Sequence, residues 1–187
     1  LYAREHKRGG AWMDDCRGRR ITLSGELQTP VAYLTCNFNR PVGDKPALFT
    51  HNEVVTLFHE FGHGIHHMLT QVDTGAVSGI NGVPWDAVEL PSQFLENWCW
   101  EEEALAFISG HYETGEPLPK EMLEKMLAAK NFQSAMGILR QLEFGLFDFT
   151  LHTEYDPEVG ARVLETLAEV KQKVAVVPAV EWARFSH

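Results

Sequence analysis

A chain of 187 residues, 44% of them apolar, is long enough for one globular domain or for one piece of a larger one. Its formal charge of −10 argues against nucleic acid and anionic membrane surfaces as partners. No apolar run approaches the ~20 residues that span a bilayer. Cys16, Cys36 and Cys99 are an odd, sparse set without metal-ligand spacing, and they read as free thiols in a reducing compartment. There is no signal-peptide pattern and no initiator Met. The opening Leu1-Tyr2-Ala3-Arg4 resembles the middle of a strand, so we expect a piece of a longer protein.

Residues 1–50 mix turn signals with β-formers. Gly9-Gly10, Gly18, Ser24-Gly25, Thr29-Pro30 and Pro41-Val42-Gly43-Asp44 punctuate short runs. The run Val31-Ala32-Tyr33-Leu34-Thr35-Cys36-Asn37-Phe38 predicts a strand, with weaker candidates at 1–4 and 11–13. A small antiparallel sheet is the simplest assembly. Such a sheet either offers an edge strand to an extended peptide or merely roofs the next helix, and the pattern fits both.

Residues 51–187 read as helical. Thr50 or Asn52 caps a first helix that runs to about Thr70, with Glu53 in its first turn. The centre of this helix, His59-Glu60-Phe61-Gly62-His63, has the pattern H-E-x-x-H. Positions four apart differ by ~40° around a helix axis. His59 and His63 therefore project from one face, one turn apart, where both can bind the same metal ion. Zinc is expected, one per chain, because it takes nitrogen ligands in a small tetrahedral shell. Glu60 lies beside that face, where a carboxylate can accept a proton from metal-activated water. The opposing interpretation is a surface helix with ordinary polar residues. The neighbours Val54, Val55, Leu57, Phe58, Phe61, Ile65, Met68 and Leu69 predict burial instead, and buried His and Glu side chains are costly without partners.

Residues 73–84 read as a loop. In Ser78-Gly79-Ile80-Asn81-Gly82, Gly79 and Gly82 allow close approach to a ligand. A second helix is expected from Trp85-Asp86 through Trp100 to near Gly110, with Pro91 tolerated in its first turn. Glu89 can fold back as a third ligand, giving a His₂Glu site with one position left for water. Glu96 can accept a His N–H and orient the ring, or can be a plain solvated residue. Ser92 and Gln93 are alternatives for that orienting role. Glu101-Glu102-Glu103 reads as a solvated helix face. His111 and Tyr112 follow Gly110, and loop packing suits them better than a reach into the site. Further amphipathic helices are expected over 120–130, 131–155 and 157–174. The expected fold class is mainly α with a small antiparallel β-sheet (α+β), in one domain spanning 1–187.

Several strings carry a family resemblance along the whole chain. F-H-E-F-G-H-G-I-H-H is followed by S-G-I-N-G-V-P-W-D-A-V-E-L-P-S-Q-F-L-E-N-W, and Y-A-R-E-H-K-R-G-G-A-W-M-D-D-C, V-A-Y-L-T-C-N-F-N-R-P and I-S-G-H-Y-E-T-G-E-P-L-P fit the same pattern. The chain resembles the thimet oligopeptidase family of zinc metallopeptidases, and its bacterial members in particular. The resemblance implies a zincin-like core of a larger helical oligopeptidase. His59, His63 and Glu89 match the zinc ligands, and Glu60 matches the general base. It also implies short, unstructured peptides as substrates, including signal-peptide fragments, a strand that aligns the substrate backbone, and a cytoplasmic location.

The family's Gly-rich loop with tyrosines, which stabilises the oxyanion downstream of a His, has no counterpart in this sequence. His187 matches either that His or one just upstream. The family's large N-terminal helical part is missing as well. Loss of one oxyanion donor commonly costs ~10²–10³ in rate, so the 187 residues alone are expected to be weak or inactive. Two alternatives share these residues: a dipeptidyl carboxypeptidase of the same family, and a non-catalytic zinc-stabilised peptide-binding module. Glu60 argues against the module, since a structural zinc needs no base and closes its fourth position. A metal-free scaffold would require His59, His63 and Glu89 to lie apart.

Overall fold

The structure, a computed structural model, describes residues 6–177. The strand candidate at 1–4 and His187 lie outside the described residues. Contacts divide the chain into two compact units, Leu1–Leu123 and Glu124–His187.

The first unit opens with four short strands: β1 (Trp12–Arg17), β2 (Arg20–Ile21), β3 (Leu27–Gln28) and β4 (Val31–Thr35). They form two separate antiparallel pairs, β1 with β4 and β2 with β3. In the first pair Trp12 faces Thr35 and Asp14 faces Tyr33, and a bulge shifts the register between Asp15 and Arg17. The strand expected to reach Phe38 stops at Thr35. Beyond it the Cys36 carbonyl accepts a hydrogen bond from Lys7 Nζ, and Cys36 and Phe38 turn into the protein.

Helix α1 (His51–Met68) follows, capped by Thr50. The cap is reciprocal. Thr50 Oγ1 accepts the Glu53 N–H at 3.3 Å, and Glu53 Oε2 accepts the Thr50 N–H at 2.8 Å. Two stripes of α1 are buried against different neighbours. Gly62 lies against helix α2 (Leu90–Glu96), where an added Cβ would stand 2.6 Å from Ser92 Cα and 2.7 Å from the Pro91 carbonyl oxygen. Gly64 lies against β4, where a Cβ would meet Leu34 Cδ2 at 3.3 Å. Small residues on both sides thus let α1 sit tightly between the β1–β4 pair and α2.

Residues after α1 hold a short 3-10 turn (Gly75–Val77) and tie back to the strands. The Ile21 N–H donates to the Asp73 carbonyl at 3.2 Å, and Arg19 Nε meets Asp73 Oδ1 at 2.7 Å. The second helix begins later than the sequence suggests. Residues 84–90 form turns, with the Ala87 N–H on the Pro84 carbonyl and the Leu90 N–H on the Ala87 carbonyl. Helical backbone is disfavoured just before a proline and Pro lacks an N–H, so Pro91 is accommodated in the first turn rather than mid-helix. After Glu96 the chain tightens into a 3-10 turn (Asn97–Trp100) and then forms α3 (Glu102–Ile108). Glu101, Glu102 and Glu103 are exposed.

Helix α4 (Lys120–Ala129) runs across the division at 123/124. In the second unit, α5 (Ser134–Thr153) and α6 (Val163–Val174) pack through Phe147, Leu167 and Val170, with Leu151 and Val174 against them. α6 starts at Val163 rather than near Pro157 because Asp156 holds a turn. Its carboxylate accepts the Glu158 N–H at 2.9 Å, and its carbonyl accepts the Gly160 N–H at 2.8 Å. The fold is mainly α with small antiparallel β pairs. None of the described helices is long and apolar enough to cross a membrane.

Candidate metal centre

α1 supplies two imidazoles and the start of α2 supplies one carboxylate. Glu89 Oε2 lies 3.1 Å from His59 Nε2 and 3.2 Å from His63 Nε2. One donor atom from each of the three falls within 4.8 Å of the others, the one such cluster among the described residues. Tetrahedral zinc with bonds of 2.0–2.1 Å would set neighbouring donors about 3.3–3.4 Å apart, close to both carboxylate contacts. The chemistry of the set also fits: two nitrogens and one oxygen, on a centre half open at Glu89 and closed at His63.

The His59 ring is oriented for metal binding, whereas His63 Nδ1 is buried without a hydrogen-bond partner. His59 Nδ1 lies 2.6 Å from Glu96 Oε1. A carboxylate there accepts a hydrogen bond from Nδ1–H, which leaves the Nε2 lone pair facing Glu89 and His63. Burial pushes the pKa of His63 down, with the charge of Glu89 acting in the opposite direction. Burial thus favours a neutral imidazole, which is the ligating state. A neutral Nε2 facing a carboxylate oxygen places lone pair against lone pair, an arrangement that a cation relieves.

Glu60 is buried beside this cluster. Its pKa is raised, first by burial and also by Glu89, while His59 and the backbone N–H of Met13 pull it down. Glu60 therefore lies on the stripe of α1 that faces the strands, and β1 is the strand whose backbone reaches it.

Of the other sequence candidates, Ser92 meets Glu89 rather than a histidine: Ser92 Oγ lies 2.8 Å from Glu89 Oε2 and 2.9 Å from the Glu89 carbonyl. Gln93 gives its backbone N–H to the Glu89 carbonyl at 2.9 Å, and its side chain is exposed. Gly79 and Gly82 both have positive φ, and their close approaches are to protein. A Cβ at Gly79 would stand 2.5 Å from His67 Nδ1, and one at Gly82 would stand 3.1 Å from the Ala76 carbonyl oxygen.

Two residues without a role in the sequence reading prove central. Gly62 sets the α1–α2 spacing that lets Glu89 reach both histidines. A glycine inside a helix costs stability and calls for a packing reason, so the signal was present. His67 is fully buried. Its Nδ1 accepts the Ile80 N–H at 3.3 Å, and its Nε2–H donates to the Arg17 carbonyl at 3.0 Å. It thereby fastens α1 to both the β1 bulge and the 78–82 loop, and Asn81 Nδ2 adds a 3.2 Å bond to Asp15 Oδ2. No local pattern marks His67, because its partners lie 13 and 50 residues away.

Comparison with known sequences matches residues 1–187 to the family described as Peptidase family M3. The chain belongs to peptidase family M3. Oligopeptidase A of Salmonella typhimurium is 76% identical over 187 residues, covering 100% of this chain and 28% of that protein. Oligopeptidase A of Escherichia coli gives the same figures. Saccharolysin of Saccharomyces cerevisiae is 42% identical over 148 residues, covering 79% of this chain and 21% of its own length. This M3 chain thus spans 28% of the length of its two bacterial relatives. The family resemblance read from the H-E-x-x-H stretch is borne out.

Proposed function

We propose that this chain carries the metal centre of a zinc-dependent peptidase that hydrolyses short, unstructured peptides, signal-peptide fragments among them, in the cytoplasm. The observation that supports this most is the convergence of His59, His63 and Glu89 beside a buried Glu60, in a member of a peptidase family. His59, His63 and Glu89 would hold the zinc, one per chain, with Glu96 orienting His59. A zinc ion bound there supplies Lewis acidity toward a water molecule and a peptide carbonyl.

Glu60 is the general base. Its carboxylate takes a proton from the attacking water and passes it to the departing amine nitrogen. A raised pKa suits a group that must hold that proton between the two events. The peptide backbone would lie along the edge of the β1–β4 pair. The approach of the Met13 N–H to Glu60 supports β1 as a participant beside the Val31–Thr35 strand. The charge of −10 supports partners other than nucleic acid or anionic membrane.

The chain spans 28% of the length of its bacterial relatives, so hydrolysis is proposed for protein that extends over that length, and the 187 residues alone are expected to be weak or inactive. The test is cleavage of a short quenched-fluorescent peptide by that protein before chelation, after chelation and after zinc is restored. Activity that survives complete metal removal would overturn the proposal.

A further inference from the structure

Glu89 is poorly restrained by its own position. It stands at the cap position of a seven-residue helix, with φ −83° and ψ −6°, and its side chain makes no capping hydrogen bond. About half of that side chain is exposed. A glutamate so placed has several rotamers open to it, and fixing a flexible side chain costs conformational entropy. Nevertheless a single oxygen, Oε2, faces both histidines.

The third group on that oxygen is the Ser92 hydroxyl, 2.8 Å away. Ser92 itself has no freedom to drift. It is fully buried, and its backbone fills the notch left by Gly62, where not even a Cβ would fit. The hydroxyl has one hydrogen and two acceptors within reach, Oε2 and the Glu89 carbonyl at 2.9 Å. A bond to an ionised carboxylate is roughly twice as strong as one to a neutral carbonyl, so the hydrogen goes to Oε2. A carboxylate oxygen has two lone pairs. One accepts Ser92, which leaves the other directed at the space between His59 and His63.

We propose that Ser92 is the positioning residue of Glu89: seated in the Gly62 notch, it fixes the carboxylate so that one oxygen faces the two imidazoles before metal arrives. The proposal rests on the zinc reading above and assigns Ser92 to the carboxylate ligand, whereas Glu96 serves the His59 ring. Ser92 touches neither substrate nor ion. Its contribution is pre-organisation, so it belongs in metal affinity and metal release rather than in the fold.

The experiment is zinc affinity by chelator competition on the purified protein, with stability of the metal-free form measured in parallel. The variants are Ser92→Ala, Ser92→Thr, Glu89→Ala and the Ser92→Ala/Glu89→Ala pair. Loss of an outer partner of a metal ligand typically weakens binding 10–100-fold. Ser92→Ala is expected to lose roughly that much affinity and to release zinc faster, with the metal-free melting temperature little changed. Ser92→Thr, which keeps the hydroxyl, is expected to recover most of the affinity. In the Glu89→Ala background the alanine at 92 should have no further effect.

Equal zinc affinity in wild type and Ser92→Ala would overturn this inference and leave the His₂Glu site standing. An equal loss with and without Glu89 would also overturn it, because Ser92 would then act on packing. A wild-type protein that binds no zinc would overturn both this inference and the reading on which it rests.

Discussion

A carboxylate that is to accept a proton from water near neutral pH works best with a pKa above its ordinary value, and burial moves Glu60 in that direction. Glu60→Gln keeps the size of the side chain and removes the proposed base. We predict that the variant retains zinc, by elemental analysis, while kcat, read in protein that extends over the relatives' length, falls by roughly 10²–10⁴; an unchanged kcat would remove Glu60 from the chemistry. His67 makes a different kind of prediction. His67→Ala removes a fully buried side chain that bonds the Ile80 N–H and the Arg17 carbonyl, and each such hydrogen bond contributes about 0.5–1.5 kcal/mol. Urea unfolding should show a loss of about that size or more, and a variant as stable as wild type would show that His67 is not the fastening. The sequence exposes His59, Glu60 and His63 because one helix fixes their relation through spacing alone. It offers Glu89 less directly, since a loop intervenes, and it is silent on His67, whose meaning lies in distant backbone groups.

Helix α1 shows why propensity and packing must be weighed together. Ala is favoured over Gly in a helix interior by about 1 kcal/mol, so propensity alone predicts that Gly62→Ala stabilises. The added Cβ would instead stand 2.6 Å from Ser92 Cα and 2.7 Å from the Pro91 carbonyl oxygen, both backbone atoms that cannot swing aside. Overpacking commonly costs 1–3 kcal/mol. We therefore predict a net loss of stability and weaker zinc binding as α2 is pushed away; a stabilised Gly62→Ala with full zinc affinity would contradict the assigned spacing. The start of α1 gives a prediction in pH. The Glu53 carboxyl is held below its usual range, first by the Thr50 N–H and also by Asn39. A depressed native pKa contributes stability that is complete above the unfolded value of about 4.3 and is lost as pH falls through the lower native value. The stability difference between wild type and Glu53→Gln should therefore shrink as pH falls through that window. A constant difference would sink the assignment. This helix was legible end to end because cap, period and motif agree. The onset of α2 was not, since Pro91 and the turns of 84–90 override the apolar pattern. Asp156 does the same before α6.

Across the whole chain, the candidate centre belongs to the first compact unit, built from the β1–β4 pair, α1 and the start of α2. Burial divides the thiols there. Cys36 and Cys99 are fully buried, and burial raises both pKa values, that of Cys99 to about 11. Cys16 is exposed on the β1 bulge. In native protein one thiol per chain should react promptly with an aromatic disulfide reagent, and the other two only on unfolding; three fast thiols would mean that the unit is open. The fold class was legible from helical periods and turn signals, whereas the division of the strands into two pairs and of the chain into two units depends on contacts that spacing does not encode. The central claim is that His59, His63 and Glu89 form one metal site, and metal content tests it most directly. Purified protein should carry about one zinc per chain, and Glu89→Ala should lose it or hold it far more weakly. Wild-type protein that stays zinc-free after incubation with the ion, or a Glu89→Ala variant that binds as tightly as wild type, would contradict the account.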